Sequence, residues 1–501
     1  MKFTELVKSP KATNILSGGL FPLTLFLIIH IARPLLTGLY HDDWYLFTMP
    51  NRMPHAEIFP TLYSGFLDRP IFNFILYGAI IFWDGRPETL TLGASVFVGI
   101  TGLLLYLFLR KLTQLADQNS LAASIGTAFW IAIPWGFGYS LWPIGAMGLL
   151  GTIFFLAAAI FAIFFSQAGK LRYAFFYGIS IFLSFFSYQS NYFEFVPLLG
   201  LLIISLPQNK TLYQRASCLL IVGFAFQITS IAYTKLVSIK TLSLSLKFIF
   251  GNFLYALPVA IMDSFGKIWF IPLIIVLVIT AALIKGATKF DQKNRKELLL
   301  SLLICWLGVA IGTLPYSLAG YMLKGLGVFS RTTITANIWL AILMCMAIIY
   351  SRKMESKLTR LIVISSSLLI LTFTITSGYQ TTSWAESWKR QNQILKIFPV
   401  DHLAKMASGS VIILNEPNRI RGVEVFAASW DITSALYETI RPFAPPQRIP
   451  PSVIPIRENM TWDGIGVLTI GNGENIKASE LWIYTPAKNE LRKIVLAGAI
   501  N

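Results

Sequence analysis

The chain has 501 residues, of which 55% are hydrophobic and only 13% are charged, and its mean hydropathy is +0.64. Soluble domains carry roughly 25% charged residues, so this composition excludes an ordinary soluble protein. The net charge is +17, and 28 of the 41 Lys and Arg but only 13 of the 24 Asp and Glu precede residue 379. The basic excess therefore belongs to the apolar part, where it indicates membrane topology and lipid contact rather than nucleic-acid binding.

Apolar runs of membrane-spanning length recur from Ile15 to about Ser377, which predicts a polytopic membrane protein. The spans are expected to be helices, because backbone groups in lipid must be satisfied within the segment. The first run lacks a signal-peptidase site and is predicted to be an uncleaved first span. Eleven spans are predicted, at 15–36, 89–109, 121–141, 144–166, 172–187, 191–206, 216–235, 267–285, 299–320, 326–350 and 358–378.

The first loop, residues 38–88, contains two adjacent carboxylates flanked by aromatic residues, Asp42 and Asp43. A carboxylate at headgroup depth loses solvation, so this position favours a functional role. One carboxylate would act as a general base for an acceptor hydroxyl, with its neighbour tuning its pKa. The alternative is an acidic pair that only caps the next helix and faces water.

The apolar segment 71–83 in the same loop has only 13 residues, which suits an interfacial or re-entrant helix. If it does not cross, 18 of the 28 basic residues before 379 lie on the side of the N-terminus. If segment 71–83 crosses the membrane, most of these basic residues lie on the side opposite the N-terminus. The positive-inside rule favours the first layout, with a cytoplasmic N-terminus and an outer first loop. An ordinary short second span remains the alternative.

A second outer loop is predicted at 236–266, where the apolar piece 248–262 also suits the interface. Residues 379–501 contain no spanning run. Short strands are predicted at 410–414, 467–470 and 481–485, and an amphipathic helix carries Trp384, Trp388, Ile394, Leu395 and Ile397 on one face. We therefore predict an all-α membrane domain over 1–378 and a small soluble α/β domain outside the membrane over 379–501.

Two outer segments carry further candidates for substrate binding. Asp68 and Arg69 precede Pro70, where Arg69 could contact a phosphate or sugar, or Asp68 could simply cap the following helix. The other segment connects two predicted spans. It contains Tyr188 and Gln189, and Glu194 follows at the start of the second span. Glu194 is the one acidic residue inside a predicted span, so it either faces a cavity or a cation, or is hydrogen-bonded at the end of its span.

Two basic residues and a set of indoles complete the candidates. Arg331 begins a span on the outer side, where it could bind a lipid-linked phosphate or snorkel to headgroups. Lys267 has a similar, weaker case. Four tryptophans are interpreted as interface belt and packing rather than as a sugar platform, namely Trp135, Trp142, Trp269 and Trp306. The cysteines, Cys218, Cys305 and Cys345, have neither disulfide nor metal spacing.

The motifs His41-Asp42-Asp43-Trp44 and Asp68-Arg69-Pro70, with a break at 84–88, resemble the GT-C superfamily of membrane glycosyltransferases. Protein mannosyltransferases, the aminoarabinose transferases of lipid A and glucosyltransferases that modify O-antigen are similar. These families place an acidic motif in the first outer loop, followed by an interfacial helix that contains Arg-Pro. The resemblance covers residues 1–110, and beyond them it is one of layout.

The resemblance implies an inverting transfer of a sugar from a polyprenyl-phosphate carrier, with Asp42 or Asp43 as base. The acceptor would be a glycolipid, polysaccharide or protein, and the expected location is the bacterial inner membrane, acting in cell-envelope polysaccharide biosynthesis. Some family members need a divalent metal, but we predict no cofactor because the outer acidic residues lack clear ligand spacing. The alternatives are a transporter or flippase of a lipid-linked saccharide and a polysaccharide polymerase or ligase.

The topology can be tested with reporter fusions. We expect a reporter fused after Asn501 to be active only outside the cytoplasm, and one fused after Gln118 only inside. Activity of both fusions on the same side would contradict the eleven-span layout and would make segment 71–83 the first suspect.

Overall fold

The fold comes from a computed structural model, which describes residues 10–31, 37–83, 85–115, 120–206, 210–237, 246–321, 324–403, 406, 409–417, 419–426, 428–440, 452–456, 460–470, 475–495 and 498–500. Asp84 in the predicted break and Gln118 in the fusion test lie outside these ranges, as does the end of the first predicted span.

Residues before 399 form a helix bundle, and the described helices run in chain order as follows. They are α1 Pro10–Phe26, α2 Asp42–Phe47, α3 Met49–Arg52, α4 His55–Gly65, α5 Pro70–Phe82, α6 Pro87–Leu115, α7 Leu121–Ala132, α8 Pro143–Met147, α9 Leu149–Ala168, α10 Leu171–Ser187, α11 Phe195–Ser205, α12 Lys210–Val237, α13 Leu246–Phe265, α14 Phe270–Ala287, α15 Gln292–Leu318, α16 Ile334–Ser351 and α17 Ser356–Ile397. Helix α16 is mostly apolar and nearly all of its residues are buried, as expected of a helix without a polar face.

The protein is a multi-pass membrane protein of the predicted all-α class, but eleven spans are not confirmed. In the described ranges, seven helices are long and apolar enough to cross a bilayer. They are Pro87–Leu115, Pro143–Ala168, Lys210–Val237, Phe270–Ala287, Gln292–Leu318, Ser330–Ser351 and Ser356–Ile397. Four other predicted spans correspond to shorter apolar helices, Gly18–Ile31, Leu121–Ala132, Leu171–Ser187 and Phe195–Ser205. Helix α7 is short because Pro134 follows and begins a 3-10 helix, Pro134–Tyr139.

The loops assigned to one side by the sequence come together at one end of the bundle. Three hydrogen bonds join loops of the predicted outer side, from Ile144 N to Asp43 Oδ1, from Gln189 Nε2 to Asp68 O and from Gly138 N to Ser330 Oγ. Two others join loops of the opposite side, from Lys353 Nζ to Asn294 Oδ1 and from Arg215 to Ser166 O. This grouping is the one expected if α5 does not cross the membrane.

Helix α5 has the length and contacts of a segment that stays near one surface. Its 13 residues extend about 20 Å at 1.5 Å per residue, against about 30 Å of hydrocarbon. Trp83, directly after its last residue, packs against Phe47 of the first loop with ring centroids 5.7 Å apart. Helix α13, Leu246–Phe265, occupies the place of the second predicted interfacial segment and contains Pro258.

Helix α17 is continuous over 42 residues, so the predicted domain boundary at 378 falls inside a helix. Trp384, Ile394 and Leu395 are buried as the amphipathic pattern predicts, whereas Ile397 is 39% exposed. The projecting part supports the first loop. Tyr40 donates a hydrogen bond to Trp384 O at 2.6 Å, and a Cβ added at Gly38 would overlap the Trp388 ring.

The C-terminal region is an α/β unit, as predicted. Within the described part of this region, helices α18 Val400–Leu403 and α19 Ser429–Ile440 accompany ten strands, which are β1 Val411–Leu414, β2 Arg419–Ile420, β3 Val423–Glu424, β4 Ser452–Pro455, β5 Met460–Trp462, β6 Val467–Thr469, β7 Asn475–Lys477, β8 Leu481–Thr485, β9 Glu490–Ile494 and β10 Gly498–Ile500. One sheet has the order β4-β1-β8-β9, with β4 and β8 parallel to β1. A second, antiparallel sheet has the order β10-β5-β6-β7. Strand β1 is buried throughout because it is apolar and central.

Candidate functional site

The inner member of the acidic pair is sealed inside the protein. Asp43 is fully buried, and its two oxygens accept hydrogen bonds from the backbone N–H groups of Tyr40 at 3.0 Å and Ile144 at 3.1 Å. Neither bond caps α2, whose N-cap residue is His41 and makes no side-chain capping bond. Burial raises the pKa of Asp43 well above its usual range, and the two N–H groups offset this only in part.

The outer member, Asp42, has a different environment. Its side chain is 29% exposed, and Oδ1 lies 2.8 Å from His41 Nδ1 and accepts a hydrogen bond of 2.9 Å from Trp430 Nε1. Burial acts to raise the pKa of Asp42, but His41, the indole N–H and the charge of Arg331 together outweigh it and lower that pKa. The two neighbours therefore differ in accessibility and in the direction in which their pKa values shift, which is how one site can give two carboxylates two roles.

The backbone at His41 separates the two carboxylates in space. His41 has φ 50° and ψ −121°, a conformation that costs a non-glycine residue about 1–3 kcal/mol. Its ring stands edge-on between two indoles, with centroids 5.5 Å from Trp142 and 5.8 Å from Trp430. The turn sends Asp43 inward and leaves Asp42 beneath an aromatic wall formed by Trp142, His41 and Trp430.

A guanidinium group lies at one end of this aromatic wall. The Arg331 guanidinium carbon stands 4.6 Å from the centroid of the Trp142 ring. Arg331 belongs to the 3-10 helix Val328–Thr333 that leads into α16. The preceding residue, Ser330, accepts a hydrogen bond of 2.7 Å from Gly138 N, which fixes this turn against the loop that carries Trp142.

A second guanidinium group approaches from the start of α5. The Arg69 guanidinium carbon lies 4.8 Å from the centroid of the Tyr188 ring, and Arg69 Nε lies 3.4 Å from Asp68 Oδ2. Gln189 Nε2 donates to Asp68 O at 2.7 Å and to Asp68 Oδ2 at 3.3 Å, which ties the two loops together. Burial acts to raise the pKa of Tyr188, but Arg69 and then Arg331 outweigh it and lower that pKa. Both arginines therefore act on one phenol.

The structure brings most of the candidates from the sequence into one cluster. Asp42, Asp43, Asp68, Arg69, Tyr188, Gln189 and Arg331 lie in this region, connected through Trp142 and Tyr188. Glu194 does not join them. It is fully buried between α15 and α16, and its Oε2 accepts a hydrogen bond from Trp339 Nε1. Lys267 is exposed in the turn Gly266–Ile268.

Three residues of the site are not identified by the sequence pattern. The pattern assigns Trp142 to belt or packing, yet Trp142 contacts both His41 and Arg331. His41 is recognised in the sequence only as the first residue of the motif that contains the acidic pair. Trp430 lies 388 positions from Asp42 in the chain, and no local pattern marks it. For Trp142, the sequence offers one indication of a special position, which is the proline that follows it at a turn between two predicted spans.

A divalent cation is held by several oxygen or nitrogen ligands that converge on one point. In the described ranges no group of three or more His, Cys, Asp or Glu side chains could hold a metal ion. Both oxygens of Asp43 and one oxygen of Asp42 already face N–H donors, and Arg331 adds positive charge beside them. We therefore derive no chemical step that involves a metal.

A comparison with solved structures finds similarity to a crystal structure of ArnT from Cupriavidus metallidurans bound to undecaprenyl phosphate. The match covers 90% of this chain and 87% of that chain, at 11% identity and a TM-score of 0.38. No family model and no curated protein matches the chain. At this level of similarity no residue role is transferred, and the roles considered below rest on the contacts of this chain.

The two carboxylates are expected to affect the pH dependence of stability in opposite directions. The folded pKa of Asp43 is raised above the unfolded value of about 3.9, so wild type loses stability relative to Asp43→Asn as the pH rises above that value. The folded pKa of Asp42 is lowered, so wild type gains stability relative to Asp42→Asn as the pH rises towards that value. Thermal unfolding of the detergent-solubilised protein over a pH series measures both differences.

Glu57→Gln is the matched control, because Glu57 is an exposed acid in the same loop. Its unfolding midpoint should follow that of wild type in the pH range above about 5, where an exposed Glu is ionised in both states. Differences of the same sign for both Asp variants would contradict a lowered pKa at Asp42 together with a raised pKa at Asp43.

Proposed function

We propose that this protein is a membrane glycosyltransferase that moves a sugar from a polyprenyl-phosphate carrier to an acceptor hydroxyl on the outer face of the membrane. One observation carries the proposal. A partly exposed, ionised carboxylate, Asp42, shares one end of the helix bundle with two arginines stacked on aromatic rings, Arg331 and Arg69. A base and an anion-binding pair are the groups that such a transfer needs.

In this mechanism Asp42 is the base and Asp43 positions it. The acceptor oxygen attacks the anomeric carbon, the bond from that carbon to the phosphate oxygen breaks, and the polyprenyl phosphate leaves with the electron pair. The hydroxyl proton passes to Asp42 at Oδ2, since Oδ1 faces His41 and Trp430. Asp43 is unsuited to this step because it is buried and bonded to two backbone N–H groups. Attack opposite the leaving group inverts the anomeric configuration.

The arginines would bind the carrier phosphate and stabilise the charge that develops on it. The guanidinium carbons of Arg331 and Arg69 lie over the rings of Trp142 and Tyr188, and a guanidinium binds phosphate oxygens through its N–H groups. The lowered pKa of Tyr188 reports the positive potential that the two arginines create together. Glu194 and Lys267 remain candidates from the sequence, but their positions give them no part in this step. The acceptor stays a glycolipid, polysaccharide or protein.

The activity can be tested with purified protein in detergent. Polyprenyl-phosphate hexoses and pentoses serve as donors, and an envelope extract from cells that lack the protein supplies the acceptor. Mass spectrometry should detect a sugar added to a component of the extract. It should also find that sugar missing from the surface glycans of the same cells. If no donor is consumed while the protein moves lipid-linked saccharide across vesicle membranes, the transporter alternative replaces the proposal.

Asp42→Asn is expected to reduce transfer by about 10²–10⁴-fold, the usual effect of losing a positioned base. Asn retains the shape of the side chain and its bond from Trp430, so insertion and yield should be unchanged. Initial rates of product formation give the measurement, and Glu57→Gln should retain the wild-type rate. A wild-type rate for Asp42→Asn would exclude this carboxylate as the base.

Arg69→Ala and Arg331→Ala are each expected to raise KM for the lipid donor by about tenfold or more, since each removes a charge-assisted contact worth about 1.5–3 kcal/mol. Lys at either position should restore little, because it lacks the planar fork of Arg. Arg86→Ala, which changes an exposed arginine of the same loop, is the control and should leave KM unchanged. Unchanged donor KM in both test variants would show that the pair does not bind the carrier.

A further inference from the structure

The C-terminal domain reaches into the site through one exposed indole. Trp430, in the first turn of α19, is 46% exposed although its Nε1 donates to Asp42 Oδ1 and its ring meets the edge of His41. The other indole of the aromatic wall, Trp142, is 2% exposed, and Arg331 covers one of its faces. Trp430 is therefore the indole of this wall that offers open apolar surface to a ligand.

The order of groups along the aromatic wall separates two ends. Arg331 lies on Trp142, Trp142 meets His41, and His41 meets Trp430, with Asp42 between the last two. Along this series of contacts the anion-binding arginine and the exposed indole are the two ends, and Asp42 contacts the indole end. In a transfer reaction the donor phosphate belongs at the arginine end, so we place the acceptor at the end that holds Trp430.

The position of Trp430 is fixed by contacts on the far part of α19. Asn51 of α3 donates to Glu438 Oε2 at 2.9 Å, and Tyr437 donates to Asn51 O at 3.3 Å. These bonds hold α19 against the helix that directly follows α2. The indole is therefore attached to the same rigid segment as Asp42.

The C-terminal domain also contacts the segment that directly precedes Arg331. Gly327 has φ 67°, and a Cβ there would overlap the Glu424 carboxylate of β3. A Cβ at Gly422, in the turn between β2 and β3, would meet the side chain of Leu326. The C-terminal domain thus contacts both sides of the site, which gives it a constant position relative to the base and the anion-binding end.

We propose that the C-terminal domain forms the acceptor subsite and that Trp430 is its platform, on which the apolar face of an acceptor sugar ring stacks while the indole N–H holds Asp42 in position. The proposal rests on the proposed glycosyltransferase function. Aromatic side chains that combine an apolar body with one polar handle suit a ligand that has C–H faces and hydroxyl edges. The acceptor class that follows is a saccharide, free or lipid-linked, rather than a side-chain hydroxyl of a protein.

The test separates acceptor from donor. With the donor on which wild type is active and the envelope extract as acceptor, Trp430→Ala should raise the apparent KM for the extract by about tenfold and leave the donor KM unchanged. Trp430→Phe retains a ring, so its acceptor KM should stay near that of wild type. Trp482→Ala, which removes an indole from β8 on the same domain, is the control and should change neither value.

Trp430→Phe supplies a readout that a purely structural role would not give. Loss of the indole N–H removes one group that stabilises ionised Asp42, so the acid limb of the rate profile should move to higher pH. The other charged or titratable groups facing Asp42 are His41, Asp43 and Arg331, and all three are retained in this variant.

Each outcome decides the proposal. An unchanged acceptor KM in Trp430→Ala, with Asp42→Asn inactive, would overturn the platform and leave the glycosyltransferase intact. A higher donor KM in Trp430→Ala would mean that Trp430 lies at the donor end of the site, and this would also overturn the proposed platform. If wild type transfers sugar from no donor, both proposals fail together. A product mass spectrum that shows the new sugar on a protein side chain would exclude the saccharide acceptor.

Discussion

The burial of the Asp43 carboxylate is the constraint on which the candidate site depends. Its bond from Ile144 joins residues 101 positions apart and ties the first loop to the first turn of α8. A buried N–H left without its acceptor costs about 1–3 kcal/mol, so loosening this carboxylate would affect two loops at once. Because both oxygens of Asp43 accept hydrogen bonds, the adjacent residue, Asp42, is held in one position beside the aromatic wall that contains Trp142 and Trp430.

The charges of the site are organised by aromatic rings rather than by ion pairs alone. Arg331 and Arg69 each stack on a ring, and the Trp142 ring in turn contacts His41 of the acidic loop. A bidentate pair with a carboxylate would engage the N–H edge of an arginine, whereas a ring engages only its face. Contact with a ring therefore helps to position each guanidinium, in addition to the ion pair that Arg69 Nε makes with Asp68.

The sequence predicted what depends on local pattern. Hydropathy predicted a helical membrane domain, short apolar runs predicted β1, β6 and β8, and the length of α5 predicted a segment too short to cross. The predicted boundary at 378 falls inside α17, because a loss of hydropathy need not end a helix. Residues 379–397 keep one buried side that contains both apolar and polar residues, among them Trp384, Ser387 and Gln391, so the helix remains packed after its hydropathy falls.

The predictions for individual site residues differ from the structure for another reason. Charge and depth along the chain cannot say in which direction a side chain points, so Glu194 and Lys267 look equivalent to Arg331 in the sequence. In the fold, Glu194 faces Trp339 within the bundle and Lys267 is exposed. Trp430 could not be found in advance, because its partner Asp42 is brought to it by tertiary contacts between distant parts of the chain.

The uninterrupted course of α17 has a consequence for how the protein responds to its lipid surroundings. A helix of 42 residues is about 63 Å long, roughly twice the thickness of the hydrocarbon core. Its C-terminal half holds Tyr40 beside the acidic pair, and the helix as a whole is a candidate membrane span. Tilting is one way in which a helix adapts to a thinner or thicker bilayer, and a continuous helix tilts as a unit. Membrane thickness thereby becomes a mechanical input to the geometry of the site, transmitted without a hinge.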